Sequence, residues 1–182
     1  MENTRRNLNH YAMVLGTYMG VFWIMKFCLV PFAVTSIFPM FLFVALTLCV
    51  PFMGYYYTRL YRDKVLGGSI GFGQAWMFGC GLYIFASLLT AVAHYVYFAF
   101  LDNGYIIDTY TASLNSFKAE QIPGTESYIE QIRQALEVLG SMSAIDLVLQ
   151  LFSNNIFYGI ILSLITALIV KKKTPETQIN EN

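Results

Sequence analysis

The sequence predicts an all-α membrane protein: four transmembrane helices, both termini cytoplasmic, and a small external segment between helices three and four. Three observations carry this. Residues 11–30, 36–57, 72–100 and 145–170 form apolar runs long enough, at 1.5 Å per residue, to cross a ~30 Å hydrocarbon core. Eight of the eleven Lys and Arg flank these runs on one side. Small residues recur every fourth position where the third run begins. Composition agrees, with 57% hydrophobic, 16% aromatic and only 12% charged residues, against about 25% charged in soluble domains.

Residues 1–10 form a cytoplasmic N-terminus carrying Arg5 and Arg6. The first run, 11–30, holds one charge, Lys26, and Pro31 blocks helix continuation. It is longer than a signal-peptide core and no clean small-residue cleavage site follows, so it reads as a retained span. In the second run Pro39 suits a first helical turn. Pro51 frees the carbonyl of Thr47 and is expected to bend the helix. The stretch GYYYTRLYRDK sets Tyr55, Tyr56, Tyr57 and Tyr61 beside Arg59, Arg62 and Lys64, which marks a membrane exit. The fourth run stops at Lys171, Lys172 and Lys173, and residues 171–182 form a polar cytoplasmic tail.

Between the third and fourth runs lies the external segment, 102–144. Residues 102–125 read as loop, with turn signals at Asn103-Gly104 and Pro123-Gly124. Ser127 and Glu130 then fit a capping box. Ile129, Ile132, Leu136 and Leu139 follow at helical spacing, and Gly140 is a natural stop. This amphipathic helix either caps the outer end of the bundle or docks on a partner or membrane surface. The external side carries only Lys118 and Arg133 but six carboxylates, Asp102, Asp108, Glu120, Glu126, Glu130 and Glu137. The positive-inside rule therefore puts both ends in the cytoplasm.

Glycine-rich runs that open helices often cradle phosphates, so GGSIGFGQAWMFG at 67–79 needs testing. Gly71 and Gly73 lack the third glycine of a dinucleotide fingerprint, and no lysine follows as a P-loop requires. No nucleotide is expected, and zero net charge gives no general attraction to nucleic acid. The expected role is helix packing. Gly67, Gly71, Ala75 and Gly79 are four apart, as are Gly16 and Gly20 in the first run, and such rows let backbones approach closely in lipid. On the third helix, Gly79, Ala86, Ser87, Thr90, His94 and Tyr97 share the side expected to face protein. Phe78, Phe85, Leu88, Leu89, Val92 and Val96 share the side expected to face lipid.

Ionisable groups at membrane depth are costly and point to function. Lys26 lies ~22 Å along its helix from Tyr11, and His94 near the outer end of the third span. Asp146, Gln150, Asn154 and Tyr158 recur every four residues on the fourth. Lys26, His94, Asp146, Gln150 and Asn154 are the candidates for an outward-facing polar pocket, with Lys26 paired to Asp146. The other reading has Lys26 snorkelling outward, Asp146 beginning its helix, and the amides joining helices. No catalytic motif occurs. Cys28, Cys49 and Cys80 are isolated in apolar runs, with no disulfide or metal spacing. Neither a metal nor a cofactor is expected.

GGSIGFGQAWMFG, the small-residue helix after it, the exit at Asp102 to Tyr105 and the last span ending in lysines resemble the domain of unknown function 4199 family. These are integral membrane proteins typical of Bacteroidota. The resemblance covers about residues 8–173 and implies an inner-membrane four-helix plan. It implies no reaction, ligand or functional residue. The leading expectation is a non-enzymatic component that acts by helix packing or assembly, as a homo-oligomer or with an envelope partner. The alternative is a small oligomeric transporter or channel using the polar pocket, with a membrane enzyme third.

Overall fold

The computed structural model describes residues 2–119 and 126–172. They form α1 (Glu2–Phe27), α2 (Val30–Ala33), α3 (Ile37–Lys64), α4 (Phe72–Phe100), α5 (Tyr105–Ala119), α6 (Glu126–Ser141) and α7 (Ala144–Val170). Four segments are long and apolar enough to cross a membrane: Asn7–Ala33, which joins α1 to α2, then α3, α4 and α7. Their most apolar 18-residue stretches have mean hydropathies of 1.7, 2.2, 1.7 and 1.8. This is the all-α, four-span class that the apolar runs predict.

The chain breaks at Cys28 and Leu29, and Pro31 then sits in the first turn of α2, where its missing N–H costs nothing. Helix α3 continues through Pro51 and runs two turns beyond Tyr57. Arg62 and Lys64 in its last turn complement the partial negative charge of a helix C-terminus.

Helix α4 is the hub, packed along α1 on one side and α7 on the other, with α3 closing the bundle more loosely. Its buried residues include Ala75, Gly79, Ala86, Ser87, Thr90 and His94, while Leu88, Val92 and Val96 are exposed. The small and polar side does face protein. Phe78, Phe85 and Leu89 depart from the expectation, since Phe85 and Leu89 lie against Gly16 and Gly20 of α1; Phe78 departs furthest. It is fully buried, stacked on Tyr61 of α3 with ring centroids 4.2 Å apart, in a core with Leu8, Ala12, Ala75, Ala167 and Val170. The extra turns of α3 bring Tyr61 over a face of α4 that lipid would otherwise cover.

Close approach explains the glycines, but not all those in the expected row. A Cβ at Gly16 would lie 2.7 Å from the Leu82 carbonyl oxygen, and one at Gly20 would lie 3.1 Å from that of Ala86. On the opposite side of α4, a Cβ at Gly79 would lie 2.6 Å from Ser163 Cβ. Gly67 and Gly71 are corrections, because both precede α4 and a Cβ on either meets nothing within 4 Å. Gly67 and Gly68, at φ +69° and +94°, turn the chain instead. Ile70 then exchanges two backbone hydrogen bonds with Lys172, of 2.9 and 3.0 Å. That extended pairing prevents α4 from starting before Phe72. It also joins the α3–α4 connection to the chain leaving α7, where Arg62 Nη1 donates to the Val170 carbonyl at 2.9 Å.

The expected loop over 102–125 is largely helix. Asn103 and Gly104, at φ 46° and 82°, make the turn. The Asp102 carboxylate accepts the Ile106 N–H at 3.3 Å, and α5 follows. Ile106, Ile107, Tyr110 and Leu114 give it an apolar side at helical spacing. Helix α6 includes Ser127 within its first turn and runs past Gly140 to Ser141. It packs on α5. The Pro123-Gly124 turn and the tail from Lys173 lie outside the described residues.

Candidate functional site

Helix α3 buries Val50, Gly54, Thr58 and Tyr61, all from its midpoint onward. Residues 37–49 bury nothing. The helix therefore leans on the bundle at its α4-proximal end and parts from it toward the α5–α6 end. Space opens where it parts, as two adjoining cavities with a common waist at Trp23, Lys26 and Asn155. The outer cavity, about 270 Å³, lies among Phe27, Phe43, Thr90, His94 and Ile106, so the first turn of α5 roofs it. The deeper cavity, about 390 Å³, lies between α3 and α7, with Val50, Pro51, Tyr83, Gly159 and Leu162 around it. Leu48, Tyr158 and Ile161, at its edge, are exposed on the outside of the bundle. The deeper cavity therefore opens sideways, toward lipid.

Below this space the bundle is tight. Met19, Trp23, Val50, Leu82, Tyr83 and Ala86 form one packed cluster, and the Tyr61–Phe78 core follows it. The cavity is one-sided.

Its polar groups are few and underused. Lys26 Nζ lies 5.1 Å from the Phe43 ring and 5.9 Å from the Trp23 ring, within range of cation–π attraction. No carboxylate among the described residues pairs with it. Trp23 Nε1 and the Tyr83 hydroxyl are buried without a hydrogen-bond partner, although buried polar groups are nearly always satisfied. Thr90 bonds to its own helix at the Ala86 carbonyl. The His94 ring is 4.1 Å from that of Phe27.

The expected site residues divide. Lys26 and His94 face one cavity, whereas Asp146, Gln150 and Asn154 do not line it. The Lys26–Asp146 pair is not formed. Asp146 receives the Ser143 hydroxyl, while its own N–H donates to Ser143 Oγ, which caps α7. Gln150 and Asn154 are exposed and bond to each other at 3.4 Å. The α7 amide at the waist is instead that of Asn155, one position and ~100° further round the helix than Asn154. Its signal was available in the sequence. Asn155, Gly159, Ser163 and Ala167 continue one seam of small and polar residues, and the last three are buried against the bundle. Trp23 and Tyr83 had no comparable signal, since nothing local separates them from other aromatic residues in spans.

Among the described residues no cluster of His, Cys, Asp and Glu is suited to a metal ion. The fold and the cavity define a multi-pass membrane protein with a sheltered, laterally open cavity built around a lysine. A family model, described as protein of unknown function (DUF4199), matches residues 15–172, from within α1 to just past α7. The chain belongs to that family. No curated protein and no solved structure matches it.

Proposed function

We propose that the protein is a non-enzymatic inner-membrane component, with both ends cytoplasmic, that binds a ligand in the outward-lying cavity at Lys26. The observation that supports this is a half-buried lysine facing open space, with the Trp23 and Phe43 rings beside it and no carboxylate among the described residues. A charge held partly away from water gains from an ionic partner, and the described residues supply none. The close glycine contacts are made between helices of one chain, so they favour a role in folding over recruitment of a partner. The tight packing below Tyr83 favours binding over conduction.

Asn155→Cys, in a chain freed of its three native cysteines, tests the cavity and its sidedness. A membrane-impermeant thiol reagent applied outside intact cells is expected to label it, and Ala112→Cys on α5 is expected to report the same side. Labelling of both only from the cytoplasmic side would reverse the topology. An unreactive Asn155→Cys beside a reactive Ala112→Cys would remove the open cavity.

One observation favours assembly as a second reading. Asp146, Gln150, Asn154 and Tyr158 stand exposed along the outer half of α7. Amides facing lipid gain by hydrogen-bonding across to another helix, and a second copy would present the same stripe. Cross-linking between chains at Asn154→Cys but not at Ile165→Cys would support it.

A further inference from the structure

We propose that the ligand is a monoanionic, single-chain amphiphile, with its charged head at Lys26 and its chain in the deeper cavity between α3 and α7. This rests on the binding reading above and names the ligand class for that site. The argument begins with charge. Among the described residues Lys26 is the one Lys or Arg lining either cavity, and no Asp or Glu lines them. A single negative charge balances it, whereas a dianion would leave an excess in a low-dielectric site.

The second point is the hydrogen-bonding capacity of the waist. The Asn155 side chain borders both cavities beside Lys26. With the ammonium, its amide N–H groups can donate to a head-group oxygen, so the donors come from α1 and α7.

Shape supplies the third point. Away from the waist, the deeper cavity is walled by Leu48, Val50, Pro51, Ile161 and Leu162. Its volume of about 390 Å³ lies within the range of small-molecule sites, about 300–1,000 Å³. Leu48 and Ile161 are also on the outer surface, so an acyl chain would run from the waist into surrounding lipid without crossing a polar barrier. A free inorganic anion would leave that apolar space empty. The shared chemistry is one negative oxygen-bearing head on a hydrocarbon chain, which a fatty carboxylate or a lysophospholipid phosphodiester would supply.

The chain has two tryptophans, and Trp76 is on α4 near the cytoplasmic end. A Trp76→Phe protein in detergent therefore reports on Trp23 alone. Dibromostearate is expected to quench Trp23 saturably, with reversal by oleate, by lysophosphatidylglycerol, or by both. Reversal by oleate alone identifies a carboxylate head, and by lysophosphatidylglycerol alone a phosphodiester. Methyl oleate and lysophosphatidylcholine are expected to compete at least tenfold more weakly. Lys26→Met is expected to weaken quenching at least tenfold and Lys26→Arg to restore it, with helical content unchanged in both. Equal competition by methyl oleate, unsaturable quenching, or an unaffected Lys26→Met protein would overturn the proposal. Acetate displacing the probe as well as oleate does would also overturn it, while leaving an anion site at Lys26. Loss of the cavity reading itself would show separately, as an unreactive Asn155→Cys.

Discussion

Tyr83 of α4 is wedged against glycines of two other helices. A Cβ on Gly159 of α7 would lie 2.5 Å from Tyr83 Cβ, and one on Gly54 of α3 would collide with the Tyr83 hydroxyl. The ring also lies 6.2 Å, centroid to centroid, from Trp23 of α1. One side chain thus meets all three neighbouring spans and forms the floor beneath the cavity.

Gly159→Ala is expected to lower stability by ~1–3 kcal/mol, the usual cost of forcing extra volume into a packed interior. Thermal unfolding in detergent checks this. Gly71→Ala, which meets open space and alters only the N-cap of α4, is expected to cost less, ~0.5–1 kcal/mol. Similar losses at both positions would mean that the glycines act through backbone propensity and not through close approach.

Tyr83→Phe removes a hydroxyl that is buried and unpaired. Deleting an unsatisfied group leaves no partner stranded, so stability is expected to hold or rise. A loss above ~1 kcal/mol would show that the hydroxyl has a partner, such as bound water.

Lys26→Met keeps an unbranched apolar stem, one atom shorter, and removes the charge. Without ligand, this ends the desolvation cost of an unpaired ammonium and gives up two aromatic contacts worth ~0.5–1 kcal/mol each at most exposed sites. The unliganded variant is expected to melt no lower than the parent protein. A clear drop would indicate that Lys26 is held by an anionic group in the resting protein.

Arg62→Ala is expected to loosen the end of the bundle where the α3–α4 connection meets the chain leaving α7. The guanidinium satisfies a C-terminal carbonyl of α7, which a helix leaves without an internal partner, and a charge-assisted bond of this type contributes roughly 1.5–3 kcal/mol. Amide exchange should quicken at Ile70 and Lys172 while the α1–α4 contact stays protected. Unchanged exchange there would show that the backbone pairing holds alone.

The four spans, the protein-facing side of α4 and the family resemblance were all legible in the chain. Each depends on local quantities: run length, small residues at four-residue spacing, and a short motif. The pocket was legible only in part. Lys26 and His94 stand out because their chemistry is costly in lipid, wherever their helices point. Asp146, Gln150 and Asn154 looked equally suitable, yet α7 presents Asn155 to the cavity and turns the other three outward.

Periodicity along one helix determined which residues share a face, and hydropathy determined which segments meet the bilayer. Only the tertiary structure decided which face meets which neighbour. Helix rotation and tilt are set by contacts far apart in sequence, such as Gly79 against Ser163, Tyr61 on Phe78, and Tyr83 between Gly54 and Gly159. Those contacts hold α3 against the bundle below Val50 and leave it apart above, and this divergence makes the cavity. They also explain why Gly67 and Gly71, in step with a packing row, serve a turn instead. A row acts only where the chain is helical and a neighbour lies against it, and Ile70 pairing with Lys172 ended the row before it reached them.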